Sequence, residues 1–377
     1  MTTGTELVAL LRDVGHSEGL VAVGIAGAES FDDCRSVLEE RKAAGLHGGM
    51  QFTYRNPARS TEPARALPGA ASLIVGALSY KRNDIDAPPK QVSGRVARYA
   101  WRDWYEPLRR SLHAMAHVLE GHGYRARVLA DDNALVDRAA AQRAGIGWFG
   151  KNANVLLPGQ GSWFVLGSVV TDAHLPADEP VPDGCGSCNR CLTSCPTGAI
   201  VAPGVVDGRR CLAWLVQAPG VFPVEHREAL GDRLYGCDDC QEVCPPNRRV
   251  AGVDLTSDPA TAAGAWVDVV GVLYADDAEL MDRFGRWYIP RREPRYLRRN
   301  ALVVLGNIGD GTDPIVERAV AVSLRSPDPI VRAHAVWAAR RLGLHRLVEQ
   351  MLPDENDPLV VEEIGREVAT RLSRTHR

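Results

Sequence analysis

The stretch CGSCNRCLTSCP, Cys185 to Pro196, is answered further along by CDDCQEVCP, Cys237 to Pro245, with Cys211 between them. Two-residue gaps let successive thiolates turn around one face of an iron–sulfur cubane. Three residues and a proline then carry the last cysteine away, and in two-cluster ferredoxins that last cysteine serves the other cluster. Applied here, the exchange assigns Cys185, Cys188, Cys191 and Cys244 to one [4Fe–4S] cluster. The second takes Cys195, Cys237 and Cys240, with Cys211 as its displaced fourth ligand. Eight thiolates could also satisfy two tetrahedral zinc ions, although zinc explains neither the prolines nor the reciprocal spacing. The reading predicts a bacterial-type two-cluster ferredoxin module over residues 178–250.

Around this module the chain has room for more. At 377 residues, two or three domains are expected, and 45% apolar with 24% charged residues is the balance of a globular protein with a real core. Of nine cysteines only Cys34 lies outside the cluster, and it reads as a buried structural thiol. Met1 to Gly15 has no basic residue before Arg12, so no secretory signal is expected. No apolar run reaches the length of a membrane span. A cytoplasmic protein, without membrane association and monomeric, is the expectation, and there clustered cysteines bind metal rather than form disulfides. The net charge of -3 excludes a chain basic throughout but leaves room for local basic patches.

Residues 1–177 read as an α/β domain. Apolar runs at Leu20 to Ile25, Ala71 to Tyr80, Arg125 to Ala130, Val155 to Leu157 and Ser162 to Thr171 suggest strands. Thr5 to Val14, Trp104 to His122 and Leu135 to Arg143 carry helical spacing. The alternation favours a mixed or parallel sheet with helices on its faces. A Gly-rich turn, AGIGWFGKN, spans Ala144 to Asn152. The Pro-rich acidic stretch LPADEPVPDG, Leu175 to Gly184, reads as a linker, and residues 251–281 as a second one.

The remainder, 282–377, is basic at its start and helical throughout. Asp-Pro-Ile-Val occurs at Asp313 and again at Asp328, and Asp-Pro-Leu-Val at Asp357. Each places an Asp N-cap before Pro at the first helical position, and Ala-rich helices follow, which suggests a small HEAT-like stack. Between Arg283 and Arg299 stand seven arginines against one acid, Glu293, with Phe284, Trp287, Tyr288 and Tyr296 interleaved. Guanidinium groups pair with phosphates and aromatic faces stack on unpaired bases, so Arg291, Arg292, Arg295, Arg298 and Arg299 are candidate RNA contacts. The alternative is a solvated helix whose aromatic residues turn to a core.

No G-x-G-x-x-G follows a strand, so a dinucleotide site is not indicated. Asp172-Ala-His174 does not complete a cobalamin-type Asp-x-His-x-x-Gly, because the sixth position is Ala177. The eight-cysteine pattern, RLYGCDDCQEVCP (Arg233 to Pro245), the AGIGWFGKN turn and the helical repeats together resemble the epoxyqueuosine reductase family. The resemblance implies a cobalamin-binding α/β domain, a ferredoxin module and HEAT-like repeats. It also implies reduction of epoxyqueuosine to queuosine at the wobble position of tRNA, with electrons from an external low-potential donor.

In DDNALVDR, the family's D-x-x-x-x-x-[DE]-R segment, the resemblance makes Asp131 the proton donor over the corrin. Arg59, Ala97, Val155, Leu166 and Ala213 match cofactor-lining positions. Ala213 stands where relatives commonly carry Ser, and Ala134 where many carry Pro. Two other readings remain open: a cobalamin and iron–sulfur reductase of a small halide or epoxide, and a plain ferredoxin-type electron-transfer protein.

Overall fold

The structure, a computed structural model, describes residues 3–88, 91–253, 258–351 and 354–367. Its backbone forms two compact units whose segments interleave along the chain. The first holds residues 1–83, 102–211 and 238–257, the second 84–101, 212–237 and 258–377. This corrects the serial division at 177, 250 and 281. The cysteine region does not stand alone: Leu212–Cys237 belongs to the second unit, and the rest of the region to the first.

In the first unit a four-stranded sheet runs β1 (Ala22–Gly27), β2 (Ser72–Ser79), β4 (Phe164–Thr171), β3 (Ala126–Ala130). Every neighbouring pair is antiparallel, which corrects the expectation of a mixed or parallel sheet. The alternation of strands and helices suggested parallel strands because those need crossover helices between them. Here helices cover both faces of an antiparallel sheet. Helices α1 (Gly4–Ser17) and α2 (Tyr105–Gly121) take one face, and α3 (Asp137–Arg143) the other. All eight residues of β4 are buried.

Gly76 and Gly167 pair across β2 and β4 beneath α2, where a Cβ on Gly167 would come within 2.7 Å of Leu112. The two glycines let the helix lie close. On the opposite face Leu73, Val75, Leu129, Leu166 and Val170 close on Ala139 and Ala140 of α3.

The 175–184 stretch has no helix or strand but is not a free linker. Asp178 pairs with Arg12 at 2.5 Å and accepts from the Ile25 backbone N–H at 2.8 Å.

The second unit also changes one expectation. Residues 251–281 are not simply a linker, since strand Trp266–Asp268 pairs with Ser93–Val96, which in turn pairs with Arg233–Tyr235. Val267, Val269, Val272, Leu273 and Leu280 are buried there. The apolar run AWVDVVGVLY outweighs its polar flanks; residues 254–257 lie outside those described.

Beyond it come α4 (Arg295–Ile308), α5 (Pro314–Leu324), α6 (Pro329–Arg341), α7 (His345–Met351) and α8 (Pro358–Gly365). Asp313, Asp328 and Asp357 cap α5, α6 and α8, each accepting from the backbone N–H two residues on at 2.8–3.0 Å. Helix α6 lies against α4, α5 and α8, and α5 against α7, so every second helix stacks on the next. The α4–α6 approach is close enough that a Cβ on Gly306 would come within 2.6 Å of Trp337. No helix among the described residues is long and apolar enough to cross a membrane.

Candidate functional site

None of the nine cysteines is in a disulfide. Cys185, Cys188, Cys191 and Cys244 line one cavity in the first unit, together with Lys151, Asn152, Leu156, Arg190 and Pro245. Local structure accounts for the convergence. The Cys188 backbone N–H bonds to the Cys185 carbonyl, and the short helix Arg190–Thr193 carries Cys191 on the next turn. Cys244 is the N-cap of helix Pro245–Arg249, so the proline after it begins a new helix and leaves the thiol at its mouth.

Burial, opposed by a backbone hydrogen bond at Asn247 and reinforced by the nearby Cys185, Cys191 and Cys188, pushes the Cys244 thiol up to about 11. Without metal Cys244 therefore keeps its proton, and ligation there must release it. Among the described residues, no three His, Cys, Asp or Glu side chains form a group suited to one metal ion.

For the second set, Cys195, Cys211 and Cys240 lie in the first unit, and Cys237 ends a segment of the second. Cys195 Sγ accepts from the Ala199 backbone N–H at 3.2 Å, the kind of N–H···S contact that surrounds a cluster thiolate. Cys34 is half-buried, and burial raises its thiol.

The turn before the cysteines holds them. Gly150 and Asn154 pair, and Ala153, at φ +63°, bonds back to Gly150. A Cβ-bearing residue in that conformation is strained. From this turn Lys151 Nζ donates to the Gly186 carbonyl at 2.7 Å and to Asn189 Oδ1 at 3.0 Å. Buried Asn152 donates from Nδ2 to the Cys240 carbonyl at 3.2 Å. Sequence reasoning quoted this turn without reading chemistry in it; its signal was the Lys-Asn pair closing a run of glycines.

Asp131 directly follows β3 and takes φ +56°, a conformation Asp tolerates better than most residues. Its loop is pinned: Ser60 Oγ donates to the Asn133 carbonyl at 2.6 Å, and Asp132 accepts from the Ala134 N–H at 2.8 Å. Although Asp131 reaches solvent, partial burial raises its carboxyl. The Arg109 cation lowers it, and Asp103 and Asp132 raise it further.

Asp137, which sequence reasoning did not single out, is raised well above the usual carboxylate range by burial and by Asp131, and its Oδ1 has no partner. Tyr105 is raised as well, by burial and then by Asp131 and Asp137. Arg59 lies 4.0 Å from Asp132, both side chains part-exposed. Val155 and Leu166 belong to the apolar cluster that includes Ala134 and Leu135. Ala97 (buried) and Ala213 (partly buried) lie in the second unit.

The five candidate RNA arginines separate. Arg291 and Arg292 are exposed and both left-handed, at φ +52° and +57°. Arg295 pairs with Glu293 and Asp328 at 3.0 Å each, and Arg298 with Asp277 at 2.6 Å. Arg299 corrects the expectation outright. It is 0% exposed, and its guanidinium donates to the carbonyls of Leu215, Val216, Ala218 and Gly220. Burial brings it down to about 9. Five donors in a planar fork suit that cluster of carbonyl ends, so Arg299 serves the fold. Phe284, Trp287 and Tyr296 are also buried, and of the four aromatics only Tyr288 is exposed, at 56%.

Comparison with known proteins gives the family. Residues 60–132 match the model described as "Epoxyqueuosine reductase QueG, DUF1730", and residues 184–247 that of a 4Fe-4S double cluster binding domain. The chain is 31% identical to an epoxyqueuosine reductase of Bacillus cereus, covering 92% of this chain and 93% of that one. With one from Xanthomonas campestris the identity is 34%, over 90% and 97%. A crystal structure of epoxyqueuosine reductase with an epoxyqueuosine-modified tRNA-Tyr stem loop superposes with a TM-score of 0.87 at 31% identity, covering 96% of this chain and 98% of that one. The enzyme from Streptococcus thermophilus gives 0.84 at 27%, over the same shares. The chain belongs to the epoxyqueuosine reductase family of oxidoreductases.

Proposed function

We propose that the protein reduces epoxyqueuosine to queuosine at the wobble position of tRNA, using cobalamin and two [4Fe–4S] clusters. The observation that carries the redox part is the cavity lined by Cys185, Cys188, Cys191 and Cys244. It brings a cysteine of the second run to three of the first, the exchange expected of a two-cluster module. The second cluster, on Cys195, Cys211, Cys237 and Cys240, is supported by the spacing and by the match to a double-cluster domain.

Cobalamin is supported by the family resemblance and by a chemical fit. Asp137 Oδ1 and Ser168 Oγ are buried without partners, on elements that close the apolar cluster containing Val155 and Leu166. A flat macrocycle rimmed with amides could satisfy such atoms, and Arg59, Val155 and Leu166 are the first-unit residues expected to hold it. When bound, the cofactors would supply low-potential electrons and a metal centre for reductive C–O cleavage.

The chain's own part is proton supply. Asp131, whose carboxyl partial burial shifts toward the neutral form, is the group that would pass a proton to the departing epoxide oxygen. Arg109 keeps that carboxyl from rising further, and the pinned loop fixes its position.

The stacked helices read as HEAT-like repeats. Arg291 and Arg292 are the proposed tRNA contacts, with Arg295 and Arg298 able to contribute if they exchange their carboxylates for phosphates. The tRNA stem loop in the crystal structure of the relative supports that partner. A cytoplasmic monomer served by an external electron donor completes the reading.

The test is anaerobic reconstitution with iron, sulfide and cobalamin, a low-potential reductant, and an anticodon stem–loop bearing epoxyqueuosine. Loss of one oxygen mass in the nucleoside, dependent on cobalamin, is the expected result; no conversion with both cofactors bound would overturn it.

A further inference from the structure

Two cations border the four-cysteine cavity, and they differ in kind. Arg190 is exposed, so solvent screens its charge. Lys151 is half-buried, and its ammonium is held by two acceptors, the Gly186 carbonyl at 2.7 Å and Asn189 Oδ1 at 3.0 Å. Both acceptors lie within the first cysteine run, one immediately after Cys185 and one immediately after Cys188. Both are neutral, so they fix the charge in place without cancelling it.

The backbone beneath is fixed as well. The Lys151 carbonyl accepts from the Gly204 N–H at 2.9 Å, and Ala153 keeps the turn closed at φ +63°. A flexible lysine on a strained turn, tied to the loop between two cluster ligands, is more than a solubilising surface charge.

We propose that Lys151 sets the reduction potential of the cluster held by Cys185, Cys188, Cys191 and Cys244, raising it so that this cluster accepts electrons from the external donor. The inference rests on the cluster reading above. The couple takes up one electron from a low-potential one-electron donor, and no bond forms or breaks. Reduction adds a negative charge to a group its four thiolates already make anionic. A cation fixed beside the cluster by two hydrogen bonds stabilises the reduced form more than the oxidised one. Lys151 holds the residues beside the metal ligands rather than the metal itself, and from there it can tune the potential without changing ligation.

The experiment is an EPR-monitored redox titration of the full chain, reconstituted anaerobically and reduced with dithionite. Wild type is compared with Lys151→Met, Lys151→Gln and Lys151→Arg, and iron and acid-labile sulfide are measured in each. Met and Gln are expected to lower the midpoint of one cluster signal. At a fixed ambient potential the reduced-to-oxidised ratio should fall about tenfold, or about 59 mV for a one-electron couple. Arg should stay near the wild-type value.

An unchanged midpoint in the Met variant overturns the proposal. A shift in Met but not in Gln also overturns it, since Gln keeps a donor and loses only the charge. If the Met variant fails to hold iron, the Gln and Arg pair still decides. A wild-type protein without iron and sulfide would instead remove the cluster reading on which the inference stands.

Discussion

Asn152 Nδ2 lies 3.2 Å from the carbonyl oxygen of Cys240, so one short turn holds the second cysteine run through Asn152 and the first through Lys151. Asn152 is buried, and its Oδ1 also accepts from the Asn154 N–H at 3.2 Å. Replacing it by Leu removes both bonds and leaves the Cys240 carbonyl without that donor. Losing buried hydrogen bonds of this kind costs about 1–3 kcal/mol. The expected outcome for Asn152→Leu is a lower midpoint of urea unfolding and less than the wild-type iron content after reconstitution. Wild-type values for both would show that the turn does not organise the cysteines.

The raised carboxyl of Asp131 gives the activity a pH limit of definite sign. A proton donor works while protonated, so turnover should be present below its raised pKa and fall as pH rises through it. Asp131→Asn is expected to keep its iron and its cofactor and to lose turnover. Arg109 is the cation that holds Asp131 down. In Arg109→Met the carboxyl rises, and the alkaline limb of the pH–rate profile moves to higher pH. A limb that stays put or moves to lower pH would separate Arg109 from Asp131 and take this carboxyl out of the proton step.

How far the sequence could be read follows from the range of the forces involved. The Asp-Pro helix starts were legible because a cap is a local bond, and Asp313, Asp328 and Asp357 each make it. The cysteine exchange was legible in its spacing because thiol chemistry and short turns restrict it. Strand direction was not, since apolar coverage of both faces produces the same pattern in either orientation.

Nor could the sequence separate Arg298 from Arg299. Adjacent on α4, they point to different surroundings, and only the carbonyl ends at Leu215 to Gly220 decide that Arg299 turns inward. Asp137 escaped for the same reason, its burial being a property of α3 against the sheet rather than of its neighbours in sequence.

The two arginine classes predict opposite phenotypes. Arg291→Ala with Arg292→Ala should leave the unfolding midpoint nearly unchanged, as exposed substitutions do. It should weaken binding of the tRNA stem–loop and reduce the slope of log affinity against log salt by about one for each phosphate that is no longer neutralised. Arg299→Ala should do the reverse, lowering stability by about 1–3 kcal/mol or more as several carbonyls lose their donor. A filter-binding series at several salt concentrations, paired with thermal melts, separates them. If the Arg291/Arg292 variant keeps the wild-type salt slope, those two residues do not touch phosphate.

Asp137 supplies a stability prediction that needs no cofactor. Burial raises its carboxyl first, Asp131 raises it further, Arg138 lowers it and Asp132 adds a smaller upward push. In the unfolded chain it ionises near the ordinary value of about 3.9. Between there and the higher folded value the native state holds one more proton than the unfolded state, so stability is lost as pH rises across that window. Asparagine has nearly the same shape and cannot ionise. Below about pH 4, where both states of the wild type are protonated, Asp137→Asn and wild type should melt close together. Above it the variant should become progressively more stable than wild type until the folded pKa is passed, after which the gap is constant. Melting both proteins at intervals from about pH 4 to about pH 8 measures that gap directly. A gap that does not grow with pH would mean that Asp137 is ionised in the folded protein, and that its unpartnered Oδ1 is reached by solvent or by a cation after all.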